Sequence, residues 1–434
     1  MNKTHLKTII ISSFLFILSC KSSQNLSKTP KITFKIEKEI GKEFQLLIDA
    51  DEQDQNLVWI DLNNNKKKDK DEQISVFNTP ITLPVKHKTI TIYGKIKELN
   101  CSHNEISSLD VTKNPHLVVL MCSNNLLKSL DVGKNILLKE LLCSENQLPT
   151  IITEHNPELK ELACTKNKLT RLNVSNNLLL EKLYCGENSL TFIDIHKNKN
   201  LKELDCSRNQ LLNLDVQQNV YLRVLDCWQN QLKFLDVDKN IRLGSLDCSE
   251  NQLTTLNVSE NFRLYSLNCR ENQLTELDLS KNNSLRVFIC SNNKLSNIDI
   301  SNHLDLTILD CNDNELTKLN LSNNKELKEV FCSGNQLTSL DITQQPLVWV
   351  IMCARNQLTE LDLSQNPNLL HLRCEENQLT KLDLSNNPIN ILDCSKNQLT
   401  KLILPENVKF VSFSASENNF EEEELIRIKN ELDK

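Results

Sequence analysis

Five oxygen-bearing side chains between residues 61 and 72 have the spacing of a calcium-binding loop. Counting Asp61 as position 1, they fall at positions 1, 3, 5, 9 and 12, which are Asp61, Asn63, Asn65, Asp69 and Glu72. Carboxylate and amide oxygens at these positions are the ligands that EF-hand-type loops offer to Ca²⁺. Lys66 stands where such loops carry glycine, and three consecutive lysines oppose a cation. The alternatives are therefore a weak calcium site or a polar hairpin loop whose Asx side chains cap turns.

Cysteine is the second residue type whose number suggests chemistry. The chain has 16 cysteines, and all but Cys20 recur at a regular interval between Cys101 and Cys394. On adjacent parallel strands, neighbouring cysteines would lie about 4.8 Å apart, which is within the range for disulfide bonds. However, all of them would point the same way into a core, where a free thiol packs as a small hydrophobe. We therefore expect buried packing thiols rather than disulfides or metal ligands.

Apart from this loop and the cysteines, the sequence shows no residue pattern that is typical of a catalytic site. The eight histidines are scattered, because they occupy different positions of the repeat, as His116, His155, His196, His303 and His371 show. We find no nucleophile elbow, phosphate-binding loop or metal-spaced cluster. The net charge of −7 and the lack of a basic patch also argue against a nucleic-acid partner. We therefore predict that the protein is not an enzyme.

The regular interval of the cysteines belongs to a repeat that runs from about Ile96 to Phe420. Cysteines follow one another every 21 residues from Cys101 to Cys374, and one residue is lost before Cys394. An asparagine recurs three residues after each cysteine, and an apolar residue two positions later. A period of 20 to 29 residues with the pattern L-x-x-L-x-C-x-x-N-x-L is the signature of a leucine-rich repeat solenoid. Residues 96–420 are therefore predicted to form about 15 to 16 turns of one solenoid.

Each position of the repeat has a predicted structural role. Leu204 and Cys206, with a polar residue between them, alternate as in a short strand, and successive turns pair such strands into one long parallel sheet. The asparagine, as at Asn209, can satisfy the backbone groups that the following bend removes from the sheet. The second half of the repeat carries an aspartate, as at Asp215, and a second asparagine, as at Asn219. It leaves room for short extended segments on the convex side but not for full helices.

The segments on either side of the repeats predict caps for the two open ends of the solenoid. In residues 31–95 the repeat is absent and apolar runs alternate with polar turns, which favours a small β-rich domain. The runs are ITFKI, EFQLLIDA, NLVWIDL, ISVF and TITIY. In residues 421–434, Leu425, Ile428 and Leu432 fall at helical spacing, with acids leading and lysines trailing. We expect a short amphipathic helix to lie over the last turn.

The first residues of the chain predict export and attachment to a membrane. Residues 1–19 combine a basic start with an apolar run from Ile9 to Leu18, which is too short for a membrane span and typical of a cleaved signal peptide. Cys20 follows directly, and the sequence ILSC resembles a bacterial lipobox. We expect Cys20 to carry a lipid and residues 20–30 to form a flexible tether; an ordinary signal peptide is the alternative. The expected location is the cell envelope, as an outer-membrane lipoprotein that faces the periplasm or the surface.

The 21-residue turns with their cysteine ladder resemble the internalin family of bacterial leucine-rich repeat proteins, in particular the internalin J type and its lipoprotein relatives. The stretches VWIDLNNNKKKDKDE and TITIYGKI, which lead into the first repeat, are similar to the leader domain of those relatives. The likeness covers roughly residues 32–434. It implies a cell-envelope protein that binds host or neighbouring-cell ligands in adhesion, colonisation or biofilm formation.

A ligand would be selected by the exposed positions of the sheet, because packing fixes the inward positions. The residue before each cysteine varies widely and includes an acidic strip of Asp205, Asp226 and Asp247. Later turns gather apolar and basic residues that have the composition of an interaction hot spot, namely Ile289, Phe331, Trp349, Met352, Arg355 and Arg373. Neutral drift between repeats is the alternative explanation for them. Tyr184 and Trp228 are a second candidate, since sugars stack on exposed aromatic rings.

Two functions stay open from the sequence. In the first, the protein binds a protein or glycan ligand through its concave face. In the second, it is a structural or assembly component of the outer membrane without an external ligand. A patterned concave face favours the first.

Overall fold

The computed structural model describes residues 28–406 and 409–432. The predicted signal peptide (1–19) and the predicted lipidation site Cys20 lie outside these residues, as does most of the predicted tether (20–30). Within the two described ranges, no helix has both the length and the apolar composition to cross a membrane.

The chain forms short strands almost throughout. Before the repeats lie β1 Lys31–Ile36, β2 Glu43–Asp49, α1 Glu52–Gln55, β3 Trp59–Asp61, β4 Ile81–Pro84 and β5 Thr89–Tyr93. The repeats contribute β6 Glu98–Asn100, β7 Ile106–Asp110, β8 Val119–Met121, β9 Glu140–Leu142, β10 Glu161–Ala163, β11 Lys182–Tyr184, β12 Glu203–Asp205, β13 Val224–Asp226, β14 Ser245–Asp247, β15 Ser266–Asn268, β16 Val287–Ile289, β17 Ile308–Asp310, β18 Glu329–Phe331, β19 Val350–Met352, β20 His371–Arg373, β21 Lys381–Asp383, β22 Ile391–Asp393, β23 Lys401–Ile403 and β24 Ser412–Ser414. Helix α2 spans Glu422–Leu432.

The repeats build one long parallel sheet on the concave side. Each turn supplies a three-residue strand that pairs in register with the next, so that Leu204 is opposite Leu225 and Leu225 is opposite Leu246. In these strands the middle residue is buried and both flanking residues are half-buried. The middle position therefore belongs to the core, and the flanking positions form the concave surface. This arrangement confirms the predicted leucine-rich repeat solenoid.

The asparagine after each cysteine holds neighbouring turns together. The Asn230 Nδ2 group donates to the carbonyl oxygens of Cys206 and Cys227 at 3.0 and 3.1 Å, and its Oδ1 accepts the Leu211 N–H at 2.9 Å. The same bonds recur in the other turns, as at Asn314. A buried amide costs free energy unless its polar atoms are paired. Here the amide pairs with backbone groups at the bend that follows the strand, as the sequence predicted.

The convex side consists of turns and a few short strands, as predicted. Its aspartates stabilise the turns through hydrogen bonds to the backbone, as where Asp278 Oδ1 accepts the N–H of Ser280 at 2.8 Å. The second asparagine of each repeat forms an inner asparagine column. In it, Asn240 Nδ2 donates to the carbonyl oxygens of Val216 and Asn219 at 3.0 and 2.9 Å. Each inner asparagine thus links its own turn to the preceding one.

The residue lost before Cys394 falls in the loop that precedes β22. The strand nevertheless keeps its register, because Leu372 of β20 is opposite Leu392. We call these loops, which connect the convex side to each strand, the rim. A change of length in the rim does not disturb the sheet.

The β-rich N-terminal segment covers the first turn on both sides. β2 pairs antiparallel with β6 and extends the concave sheet, while β1 pairs antiparallel with β7 on the convex side. The predicted strand in ISVF (residues 74–77) is wrong. Ile74 is buried, but β2 pairs with β4 instead. Asn78, with a φ of 56°, turns the chain there and donates its N–H to the Ile48 carbonyl.

Helix α2 closes the last turn, although not through the predicted apolar stripe. Ile428 is buried, whereas Leu425 and Leu432 are 53% and 39% exposed. Instead, Glu424 accepts the N–H of Leu402 at 2.9 Å and Arg427 donates to the Leu402 carbonyl. Its hydrogen bond with Arg427 lowers the pKa of Glu424 to about 2. The charged pair, and not three apolar residues, satisfies the open edge of β23.

Candidate functional site on the concave sheet

The last residue of each concave strand forms a column of variable side chains along the sheet. From β8 to β11 these residues are apolar or aromatic, from β12 to β14 they are aspartates, and from β16 to β19 they are mostly apolar again. We call the three zones the first apolar zone (Met121, Leu142, Ala163 and Tyr184), the acidic strip (Asp205, Asp226 and Asp247) and the second apolar zone (Ile289, Phe331 and Met352). All ten side chains are half-buried. The concave surface thus alternates between apolar and acidic zones on a continuous sheet.

The three carboxylates of the acidic strip occupy matching positions of adjacent strands. Two of them are supported by the serine two residues later. The backbone N–H and hydroxyl of Ser207 donate to Asp205 Oδ1 at 3.0 and 2.6 Å, and Ser249 does the same for Asp247. Asp226 lacks such a hydroxyl, because Trp228 replaces the serine. Burial, followed by the charges of Asp205 and Asp247, raises the pKa of Asp226 to about 6.

Tyr184 and Trp228 border the acidic strip but do not form one platform. Tyr184 lies in β11 and its hydroxyl donates to Glu203. Burial and this hydrogen bond raise the pKa of the Tyr184 hydroxyl. Trp228 follows β13, and the guanidinium of Arg208 lies 5.3 Å from the centre of its ring. The strand β12 separates the two aromatic residues, so the predicted aromatic pair is two neighbouring sites rather than one.

The structure brings together only part of the predicted hot spot. Phe331 is opposite Met352, and Met352 is opposite Arg373, so these three residues form a continuous row. Ile289 is two strands away from Phe331, and Asp310 lies between them. Burial raises the pKa of Asp310. The second apolar zone is therefore interrupted by a half-buried carboxyl group.

Trp349 does not belong to the concave surface, so its assignment to the sheet face is wrong. It precedes β19 by one residue and lies on the rim, 40% exposed. Its carbonyl accepts the N–H of Leu370, which occupies the same rim position of the next turn, at 3.0 Å. Leu347 and Leu370 are also exposed there. Trp349 lies outside the strand, three residues before Met352, which is the residue opposite Phe331.

Arg355 and Arg373 are engaged in ion pairs along the sheet. Arg355 Nη2 lies 2.9 Å from Asp313 Oδ1, two turns earlier, and crosses over Gly334, which has no side chain in the way. Arg373 Nη2 lies 3.3 Å from Glu375 Oε1. Both arginines remain about half exposed. Each therefore shares its charge with a neighbouring carboxylate, and their role at the border of a ligand stays a prediction.

The predicted calcium loop is closed by its own hydrogen bonds. Asp61 and Glu72 are buried. Asp61 accepts the N–H groups of Asn65 and Lys66 at 3.1 and 2.9 Å, and Glu72 those of Leu62 and Asp69 at 2.9 and 3.1 Å. Lys66 takes a φ of 61°, the conformation that glycine adopts most readily.

The side chains of this loop are of the oxygen-bearing types that bind Ca²⁺, but two of their amide groups are turned with N–H rather than oxygen toward the site. The side-chain amides of Asn63 and Asn65 donate to Asp69 Oδ2 at 2.8 and 2.9 Å, so they present N–H groups to the carboxylate. An amide flip would present oxygens instead. In the described ranges, no group of three or more His, Cys, Asp or Glu side chains is arranged to hold a metal. Calcium binding therefore stays a prediction.

The cysteines lie in the core as predicted. All fifteen from Cys101 to Cys394 are buried with free thiols. Burial raises the pKa of the Cys101 thiol to about 12 and raises the others in the same direction. Because the thiolate is the reactive form, these thiols are unsuited to nucleophilic chemistry at neutral pH. Their role in this structure is packing.

The first apolar zone was not predicted as a unit from the sequence, although Tyr184 was predicted as a candidate. A signal for it exists, because four successive turns carry Met121, Leu142, Ala163 and Tyr184 at one repeat position. The rim residues were also missed. They become visible only when the sequence is arranged in rows of one turn each.

The fold and this surface define a leucine-rich repeat protein with a cysteine ladder and a patterned concave sheet. Comparison with family models gives no match, and comparison with curated proteins gives none. Among solved structures, the functional domain of InlJ from Listeria monocytogenes, which includes a cysteine ladder, is 34% identical, with 71% of each chain covered and a TM-score of 0.70. This chain belongs to the internalin family of leucine-rich repeat proteins.

Two further structures share the fold. A leucine-rich repeat protein from Leptospira interrogans is 24% identical, covers 74% of this chain and 84% of its own, and has a TM-score of 0.62. The internalin InlF from Listeria monocytogenes is 18% identical, covers 63% and 85%, and has a TM-score of 0.59. At these identities the likeness concerns the fold alone.

Proposed function

We propose that this chain is a cell-envelope adhesion protein that binds a protein partner through its concave sheet. The membership of the internalin family supports a non-catalytic binding protein. The lipobox-like sequence before Cys20 supports attachment to the outer membrane through a lipid. The two parts of the proposal are separate, because recognition depends on the sheet and location depends on the N-terminal segment.

The observation that carries the proposal is the order of the zones on the concave sheet. Two apolar zones flank a strip of three carboxylates, and all of them project from strands held in register by the asparagines. Little ordering is needed to bind with such a surface, so a larger share of the contact energy appears as affinity. Interfaces often combine apolar anchors with charged groups that fix orientation. The pattern matches an extended protein partner better than a small molecule.

A protein partner is also favoured over a glycan by the residues of the second apolar zone. Phe331 and Met352 stand side by side, and Ile289 follows beyond Asp310. Aliphatic and thioether groups gain most by burial against apolar protein side chains. A glycan would be favoured by free aromatic faces. However, Trp228 has Arg208 over its ring, and the hydroxyl of Tyr184 is bonded to Glu203.

The test compares partners from outside the cell with partners from the envelope itself. The purified protein is immobilised, and biolayer interferometry measures its binding to mucin, to matrix proteins and to solubilised outer-membrane extract. We expect saturable binding to at least one external protein. The double variant Phe331→Ala/Met352→Ala should weaken it at least tenfold, about 1.4 kcal/mol. The matched control is Phe192→Ala/Phe234→Ala, because both phenylalanines are exposed on the convex side.

Charge on the partner is tested separately. The triple variant Asp205→Asn/Asp226→Asn/Asp247→Asn should weaken binding and make it less dependent on salt, if the partner carries a cationic group over the strip. If neither set of variants matters, the concave sheet is not the binding surface. If binding occurs only with outer-membrane extract, the alternative of a structural or assembly component of the outer membrane is the better account.

A further inference from the structure

The rim carries a second exposed surface, which spans three successive turns between β12 and β15. Its first row is apolar and consists of Val220, Ile241 and Phe262, which occupy one position of the repeat. They are 41%, 51% and 49% exposed. Two tyrosines lie beside this row, Tyr221 at 41% and Tyr265 at 48% exposure. We call these five residues the rim patch.

The rim patch is ordered by the backbone beneath it. Leu222, Leu243 and Leu264, each two positions after a residue of the apolar row, are completely buried. The rim position before each strand forms a row of hydrogen bonds, since the Gly244 N–H donates to the Arg223 carbonyl and the Tyr265 N–H to the Gly244 carbonyl, both at 2.8 Å. The exposed side chains therefore project from a fixed framework.

Gly244 gives Tyr265 its place in the patch. A Cβ atom at Gly244 would lie 2.7 Å from Tyr265 Cε1 and 3.1 Å from its Cδ1. The ring of Tyr265 thus occupies the space that a side chain at position 244 would need. Beside it, the guanidinium of Arg242 lies 4.7 Å from the centre of the Tyr221 ring. An open depression of about 630 Å³ lies here, lined by Val220, Tyr221, Ile241 and Arg242 together with Asp238, Lys239 and Glu260.

The charges around the rim patch are mainly positive, although the whole chain has a net charge of −7. Four exposed arginines, Arg223, Arg242, Arg263 and Arg286, stand at rim positions of four successive turns. The described residues contain ion pairs for Arg208, Arg270, Arg355, Arg373 and Arg427, but none for these four. Guanidinium groups without an internal carboxylate partner can bind carboxylates of another molecule with two parallel hydrogen bonds.

We propose that the rim patch is a second docking surface, and that its partner is a protein segment in which acidic residues alternate with apolar ones. The free arginines select acidic groups by charge complementarity. The row of Val220, Ile241 and Phe262 selects apolar side chains, since an anionic glycan would leave these aliphatic groups without burial. Tyrosine and arginine are the residue types enriched at interface hot spots. A second copy placed symmetrically on the same patch would bring the arginines against one another, so a symmetric dimer through this patch is disfavoured.

This surface is independent of the concave sheet. Its residues lie in the loops before the strands, whereas the acidic strip and the apolar zones lie at the strand ends. Its charge is also opposite to that of the acidic strip. A partner on the rim therefore need not compete with a partner on the sheet, and variants of one surface should leave binding at the other unchanged.

The experiment uses labelled synthetic peptides as probes and fluorescence anisotropy as the readout. One peptide alternates glutamate with leucine and phenylalanine, a second alternates glutamate with serine, and a third replaces glutamate by lysine in the first; heparin is the anionic glycan. We expect the first peptide to bind at least about tenfold more tightly than the others. Both Arg242→Glu/Arg263→Glu and Tyr221→Ala/Phe262→Ala should weaken it at least about tenfold. The matched controls, Arg171→Glu and Phe192→Ala, change exposed residues on the convex side.

Folding of each variant is checked by circular dichroism, and Val220→Ser, which keeps all charges and rings, serves as a further variant. It should also weaken binding of the first peptide. If heparin or the glutamate–serine peptide binds as tightly as the first peptide, the surface is a general anion site and the proposal is wrong. The proposal also fails if the first peptide does not bind, or if the control variants weaken it as much as the rim variants. Loss of binding in Phe331→Ala/Met352→Ala would place the peptide on the concave sheet instead.

Discussion

At the scale of single residues, Asp226 is an aspartate whose negative charge is poorly stabilised by its surroundings. It stands between Asp205 and Asp247, and Trp228 takes the place of the serine that supports its neighbours. Its pKa of about 6 lies above the usual 3.8. The folded protein therefore binds more protons than the unfolded chain between about pH 4 and pH 6. The free energy of unfolding falls as pH rises through this window and stays lower above it.

The substitution Asp226→Asn should remove this loss of stability at higher pH. We expect the free energy of unfolding to rise by roughly 1 kcal/mol at about pH 7.5, once solvent screening is allowed for, and to change little at about pH 4. Urea denaturation at the two pH values measures the difference. Asp278→Asn is the control, because its carboxylate accepts the Ser280 N–H at 2.8 Å and lies outside the acidic strip. A gain of equal size at both pH values would contradict the assignment.

His303 has the opposite effect on the pH dependence of stability, because its pKa is lowered. It replaces asparagine in the inner asparagine column between Asn282 and Asn324, it is buried, and neither ring nitrogen has a partner among the described residues. Burial lowers the pKa of His303 below the usual 6.5. The unfolded chain therefore takes up a proton first as pH falls below 6.5, and the folded state loses stability from there down to the lowered pKa.

His303→Asn should stabilise the protein and reduce its sensitivity to acid. An amide at this position can bond to the preceding turn as Asn324 does, with Nδ2 2.9 Å from the carbonyls of Ile300 and His303. We expect a gain of about 1 kcal/mol at neutral pH and a larger gain near pH 5. Thermal denaturation at both pH values tests this. His155→Asn, which changes an exposed histidine, should have no such effect; an equal gain there would rule out the buried site as the cause.

The calcium loop offers a third test at this scale. If the five predicted ligands bind Ca²⁺, calorimetric titration should give heat with a Kd of about 10⁻⁴ to 10⁻³ M. Asp69→Asn should abolish the heat, because it removes a charged ligand while it preserves shape. Asp71→Asn changes an exposed neighbour that pairs with Lys86 and should bind as the wild type does. A wild type that gives no heat would leave the hairpin as the whole explanation of these residues.

At the scale of elements, the sequence predicts most accurately those positions that every turn uses in the same way. The buried leucines, the cysteines and both asparagine columns follow from repetition alone, because one packing solution recurs in each turn. Positions outside the repeat were less predictable. The run ISVF was predicted as a strand, but the strand formed at Ile81–Pro84, and Ile74 is buried without belonging to a strand. In α2, the spacing of apolar residues could not show that Glu424 and Arg427 hold the helix.

The candidate site shows the same limit. The sequence correctly placed Phe331, Met352 and Arg373 on one surface, since they share a repeat position. It did not separate Trp349 from them, because a shift of two or three residues moves a side chain from the sheet to the rim. The ion pair between Arg355 and Asp313 also depends on the missing side chain of Gly334. Such contacts cross two turns and have no signal within one repeat.

At the scale of the whole molecule, the two proposed surfaces follow from the uniform core. Because inward positions are fixed by packing, variation is confined to columns on the sheet, the rim and the convex side. Opposite charges can then be kept on different faces of the same turns. The carboxylates of Asp226 and Asp247 lie on the sheet, while Arg223 and Arg242 lie on the rim of the same two turns. The solenoid can therefore separate the two proposed recognition surfaces without a second domain.

The same uniformity predicts that the molecule can lose one whole turn. Excision of residues 144–164 joins Cys143 to Thr165 and restores every column of the repeat, while both caps stay in place. Stability in a solenoid is a sum of turn and interface contributions. We expect a single cooperative urea transition with an m-value lower by roughly one part in sixteen, since m scales with the surface exposed on unfolding. Circular dichroism and size-exclusion chromatography report folding and association.

The matched control removes only residues 144–153, about half a turn. This excision brings convex residues into the positions of a concave strand, so that the inward columns no longer align with those of the neighbouring turns. We expect the control to lose cooperativity or to aggregate, because apolar columns on both sides of the junction become exposed. Equal stability of the two excised proteins would mean that turn-by-turn stacking is not what holds the molecule together. Loss of folding in the whole-turn excision alone would point to specific contacts in residues 144–164 that the repeat pattern does not reveal.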